Sequence, residues 1–256
     1  VCMAKLKESK TGINIASKDK KSLFKTEILE GLNWLTNAYD DINKGWGSLP
    51  GIPVAVQNTS EIIYTFINCY EYLSEEQLDI LKEVINAWLE DITVGDKFTI
   101  DYYWILITLL EIRNHIQMFS EELRAKIENE IISCLGFFFT SQNSDGGWGT
   151  CKGEVSSTIR TSMVLIAISQ VVFEPTDYQK EAVEKAVKWL LKEQSTNGGW
   201  GNIDKNDIDN DFIRKINLTY QQLELQYTPN PCATAYAMKA LKAIKPHAYK
   251  SQLNKA

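Results

Sequence analysis

The sequence predicts an all-α fold: a stack of about four helix hairpins forming a partial or small α-α barrel. Three observations lead there. Gly-Trp-Gly cores recur, at Lys44-Gly45-Trp46-Gly47, Asp145-Gly146-Gly147-Trp148-Gly149 and Asn197-Gly198-Gly199-Trp200-Gly201. Trp148 and Trp200 lie 52 residues apart and Trp46 and Trp148 lie 102 apart, about twice that, so a degenerate unit belongs between the first two. Finally, stretches with an apolar period near 3.6 alternate with turn-forming residues, which fits stacked hairpins that cannot cover their own apolar faces alone.

The elements follow in order. An outer helix of each unit carries a large aromatic, Trp34, Trp88, Phe137 or Trp189, at successive separations of 54, 49 and 52 residues. These helices are expected at about 22–38, 76–92, 119–141 and 177–194. Glycines follow them because a residue with a left-handed backbone stops a helix without steric cost. Thirteen residues after Trp46 comes Thr59-Ser60, and thirteen after Trp148 comes Thr161-Ser162, each heading an apolar run. Inner helices opened by such hydroxyls are expected at about 58–73, 99–115, 157–172 and 232–244. The matching Thr234-Ala235 lies 34 residues after Trp200, so the last unit carries an acidic insertion at about 202–229. The repeats are read as 22–74, 76–116, 119–173 and 177–246, between a flexible tail at 1–21 and a short tail at 247–256.

The totals exclude several classes. The chain has 256 residues with 33 acidic against 27 basic side chains, and its only basic-rich stretch, Lys5 to Lys25, also holds Glu8 and Asp19. Nucleic acid is not an expected partner, since binding it takes a basic stripe to replace counterions along the phosphates. The five cysteines, Cys2, Cys69, Cys134, Cys151 and Cys232, are unpaired in spacing and odd in number, which points to free thiols and a cytoplasmic location. No apolar run reaches the roughly 18 residues that a membrane span requires.

The pattern Gln-x-x-x-Gly-x-Trp, at Gln142 to Trp148 and Gln194 to Trp200, together with Thr234-Ala235-Tyr236-Ala237-Met238-Lys239-Ala240-Leu241, resembles the repeat of squalene and hopene cyclases and of protein prenyltransferase β subunits. The likeness spans about residues 22–244 and implies an α/α toroid. It implies a structural role for Trp46, Gln142, Trp148, Gln194 and Trp200, with glutamine capping a helix and stacking on an indole. A full toroid of that family has six hairpins, so four imply an open arc or one completed by other elements.

The resemblance also says where chemistry would sit. Family cyclases protonate an alkene with an acid in Asp-x-Asp-Asp at the mouth of an inner helix. The aligned tetrads here, 55–58, 157–160 and 230–233, hold no acid. Only Thr99-Ile100-Asp101-Tyr102 does, placing Asp101 at the central position beside Tyr103 and Trp104. Asp101 is therefore the candidate catalytic acid, set against the plainer reading of a helix-capping aspartate. Tyr102, Tyr103, Trp104 and Cys232 are the candidate ligand-pocket residues.

Family prenyltransferases hold zinc with Asp, Cys and His. Asn230-Pro231-Cys232 imitates part of that set, but asparagine is a poor ligand and the histidines are only His115 and His247, so no metal or cofactor is expected. Asp204, Asp207, Asp209 and Asp211 lack the glycine and glutamate of a calcium loop and read as a solvated acidic segment. Two functions remain. One is a non-catalytic or degenerate repeat domain binding a hydrophobic small molecule, a peptide or a partner domain on its concave inner face. The other is a small cyclase-like or prenyltransferase-like enzyme acting on an isoprenoid.

Overall fold

The computed structural model describes residues 24–93, 97–115, 120–204, 224 and 226–244. Both tails, and Asp207, Asp209, Asp211 and His247, lie outside them. The described residues form eight α-helices and no strand: α1 (Lys25–Asn37), α2 (Val56–Asn68), α3 (Glu75–Asp91), α4 (Thr99–Asn114), α5 (Glu121–Ser141), α6 (Thr158–Ser169), α7 (Asp177–Lys192) and α8 (Pro231–Ile244). The predicted helices thus all form, with ends that move by a few residues. Among the described residues no helix is long and apolar enough to cross a membrane.

Capping side chains set the helix starts. Ser74 and Gln77 at α3, and Thr176 and Gln179 at α7, form reciprocal boxes in which each side chain bonds the other residue's backbone N–H. Ser120 and Ser157 accept from Leu123 N–H and Arg160 N–H at the start of α5 and α6. The threonines expected to open inner helices lie further in. α2 and α6 begin at Val56 and Thr158, so Thr59 and Thr161 occupy the first turn, and Asn230 caps α8 through a bond from Ala233 N–H.

Packing separates the helices into two sets. α2, α4, α6 and α8 contact one another in sequence, α2 to α4 to α6 to α8. α3, α5 and α7 pack behind α2, α4 and α6 respectively. The middle of the first row is apolar nearly all round, with every residue from Met163 to Ile168 in α6 and from Ile105 to Leu110 in α4 buried, while α2 and α8 at its ends each bury one stripe. α3 and α7 bury one stripe only, Leu81, Val84, Ile85 and Trp88 in α3 and Ala182, Ala186, Trp189 and Leu190 in α7. A stripe suffices for an outer helix, whereas an inner one with inner neighbours on both sides, α4 or α6, is covered from several directions.

The three tryptophans of the glycine cores sit in one repeated setting and are 0–2% exposed. Trp46, Trp148 and Trp200 donate their backbone N–H to Thr59, Thr161 and Thr234 Oγ1 at 3.1, 3.0 and 3.0 Å. Their indole Nε1 donates to the carbonyls of Leu35, Phe138 and Leu190 at 2.8, 2.8 and 2.7 Å, joining each turn to the end of the outer helix before it. Each indole, burying on the order of 150–250 Å², contributes roughly 4–6 kcal/mol of gross burial energy. Gly146 and Gly198 take φ of +99° and +94°, which closes the turn where a Cβ would be strained.

The hairpins are also tied to their successors. Gln142 Nε2 donates to Gly146 O in its own turn and to Ala182 O on α7. Thr99 N–H donates to Thr150 O, and its hydroxyl to Gly149 O, while Thr158 N–H donates to Asn202 O at 2.7 Å. The first residues of α4 and α6 thereby grip the turn of the following hairpin.

Candidate functional site

The shared junction bonds fix which positions along the inner helices are equivalent. Thr99 and Thr158 are both first residues and make the same bond, so the third residues Asp101 and Arg160 correspond. The tetrad of α4 is therefore Phe98-Thr99-Ile100-Asp101, one residue earlier than the sequence suggests, and Asp101 takes its last position rather than its central one. The slip arises because this hairpin has no Gly-Trp-Gly core from which to count. In the same frame the sixth residues are Glu61, Trp104, Met163 and Tyr236.

Side chains at and beside these positions come within electrostatic or ring-contact range of one another near the starts of the inner helices. Arg160 on α6 interacts electrostatically with Tyr236 on α8 and Asp101 on α4, and Tyr236 also interacts with Glu61 on α2. Tyr103, Trp104 and Tyr64 form a chain of edge-on contacts, with ring centroids 5.3 Å apart for Tyr103 and Trp104 and 6.4 Å for Tyr64 and Trp104. Four helices thus contribute aromatic and charged groups to one region, which is the candidate site.

Burial dominates its electrostatics. Tyr103 is pushed up to about 12, first by desolvation and then by Tyr236 and Tyr64, so its phenol stays neutral. Tyr236 is raised by burial, then by Cys232, with Arg160 opposing. The Arg160 guanidinium is lowered by desolvation while Tyr236 and Asp101 pull it back. Its only polar side-chain contact among the described residues is Nη1 to Met163 Sδ at 3.6 Å, a weak acceptor.

The sequence candidates divide. Asp101 is half-buried, and its Oδ2 accepts the Phe98 N–H at 2.8 Å, so the carboxylate caps α4. Tyr103 and Trp104 join the site. Tyr102 instead stacks on Phe137 of α5, with centroids 3.7 Å apart and planes at 14°, packing toward the outer layer. Cys232 is exposed at the start of α8, within electrostatic reach of Tyr236. Trp46, Gln142, Trp148, Gln194 and Trp200 lie in the hairpin turns described above. Among the described residues no group of three His, Cys, Asp or Glu side chains is placed to hold a metal ion.

Two residues escaped the sequence reading. Tyr39 stands where later hairpins carry glutamine: it packs on Trp46 with centroids 5.1 Å apart, and its hydroxyl donates to Glu83 on α3, as Gln142 bonds α7. No rule of residue type links tyrosine to glutamine here. Arg160 did carry a signal, being the only charged residue between Glu154 and Glu174.

Residues 155–256 match the family model of the squalene-hopene cyclase C-terminal domain. The matched part holds α6, α7 and α8, and the all-helical fold agrees with it. The resemblance first drawn from the glutamine and tryptophan pattern is borne out there. No curated protein matches the chain.

Proposed function

We propose that residues 22–246 act as one non-catalytic helical unit, in a reducing, cytoplasmic setting, that binds a hydrophobic ligand where the inner helices begin. The observation that carries this reading is the bond from Phe98 N–H to Asp101 Oδ2. An alkene-protonating acid must aim its carboxyl at the substrate, whereas the Asp101 carboxyl is turned back onto the start of its own helix, where it accepts the Phe98 N–H. The other tetrads supply no replacement. What remains is an aromatic surface, Tyr64, Tyr103, Trp104 and Tyr236, suited to an apolar chain.

The test is incubation of the full chain with linear isoprenoid hydrocarbons, with binding followed by quenching of tryptophan emission and products by mass spectrometry. Binding without turnover is expected in both wild type and Asp101→Asn. Turnover in wild type that disappears in Asp101→Asn would replace this reading with that of an enzyme. Absence of binding would end it.

A further inference from the structure

We propose that Arg160 anchors the headgroup of an amphiphile that ends in an anionic oxygen group, phosphate or carboxylate, with its apolar tail along the aromatic surface. This rests on the reading of the same region as a hydrophobic-ligand site and adds the charge of the ligand to it.

Arg160 is a lone cation in an otherwise uncharged run from Val155 to Phe173, in the first turn of a helix whose next eight residues are all buried. A guanidinium has five N–H donors in a planar fork and no acceptor. Among the described residues it meets one thioether at 3.6 Å, and no carboxylate lies within ion-pair distance. None of its nitrogens is among the buried atoms without a partner, so the unused donors open onto accessible space rather than into the core.

Two acids stand near enough to raise the opposite possibility, a cationic ligand. Both are already engaged. Asp101 Oδ2 holds the Phe98 N–H, and Glu61 Oε1 accepts from Gln57 Nε2 at 2.8 Å. One oxygen of each acid is engaged, whereas the guanidinium has five donors set against a single weak acceptor, and a half-desolvated cation of that shape is best satisfied by a two-oxygen anion taken edge-on. Tyr236, neutral and within electrostatic reach of Arg160, offers a hydroxyl beside it.

The experiment is calorimetric titration of the full chain with three probes that share one tail: dodecyl phosphate, dodecanol and dodecyltrimethylammonium, each below its micellar concentration. Dodecyl phosphate should bind at least about tenfold more tightly than dodecanol, the increment expected of hydrogen bonds to a charged group. Arg160→Gln should remove that advantage and leave dodecanol affinity within about twofold. Equal affinity for phosphate and alcohol, preference for the ammonium, or an unchanged advantage in Arg160→Gln would each overturn the anchor while sparing the hydrophobic site. Failure of all three probes would remove the site itself. Should Arg160→Gln not fold, the ranking of probes by the unmodified chain still decides.

Discussion

Thr161→Val isolates the bond by which a hairpin turn is pinned to its inner helix. Thr161 is fully buried and accepts the Trp148 N–H at 3.0 Å, and valine reproduces its shape without the oxygen. The Trp148 N–H would then be left buried without an acceptor, which costs about 1–3 kcal/mol. A value near 2 kcal/mol corresponds to a fall in Tm of about 4–8 °C for a chain of this size. The same change at Thr234 should cost no more than this, because Trp200 is as buried as Trp148 while Thr234 itself is only half-buried. Urea unfolding followed by tryptophan fluorescence measures both, with an unchanged slope showing that the end states are the same. A loss below about 0.5 kcal/mol in Thr161→Val, or a larger loss at Thr234, would refute the view that these bonds lock the turns.

Two further perturbations follow from the turns. Gly146→Ala should destabilise by about 2 kcal/mol or more, since φ is +99° and a Cβ would lie 2.8 Å from Lys185 O; Gly136→Ala, in the exposed face of α5 with open space around it, should stabilise by about 0.5–1 kcal/mol. Thermal denaturation of the pair checks both signs. The Asp40 carboxyl is held below its ordinary 3.8, chiefly by the Asn43 amide. Its support of the first turn is therefore complete above that ordinary value and is lost as pH falls through the lowered one. Asp40→Asn should show a smaller decline in Tm than wild type between about pH 5 and pH 2.

The outline of the fold was legible because tryptophan-glycine turns recur at a constant interval, so Trp148 and Trp200 located α5 to α7 almost to the residue. Where the marker is missing, counting fails: α4 falls where the sequence puts it, but the tetrad at its head reads one residue late, which puts Asp101 at the central position instead of the last. Tyr39 illustrates a different limit, since bridging to the next outer helix requires reach and a donor, and tyrosine has both without resembling glutamine. Arg160 was missed for a simpler reason. The acid-rich tetrad draws attention to carboxylates, while the unusual property of that stretch is a solitary positive charge.

α8 begins with Pro231, at the place held by Thr99 in α4 and Thr158 in α6. Those two residues offer a backbone hydrogen to the turn of the neighbour ahead, and a proline ring has none to offer. The carbonyl corresponding to Thr150 and Asn202 belongs, after Trp46, to Ser48. The row of hairpins thus has a grammar of direction: α8 cannot speak the line that α4 and α6 deliver, while Ser48 retains the means to hear it.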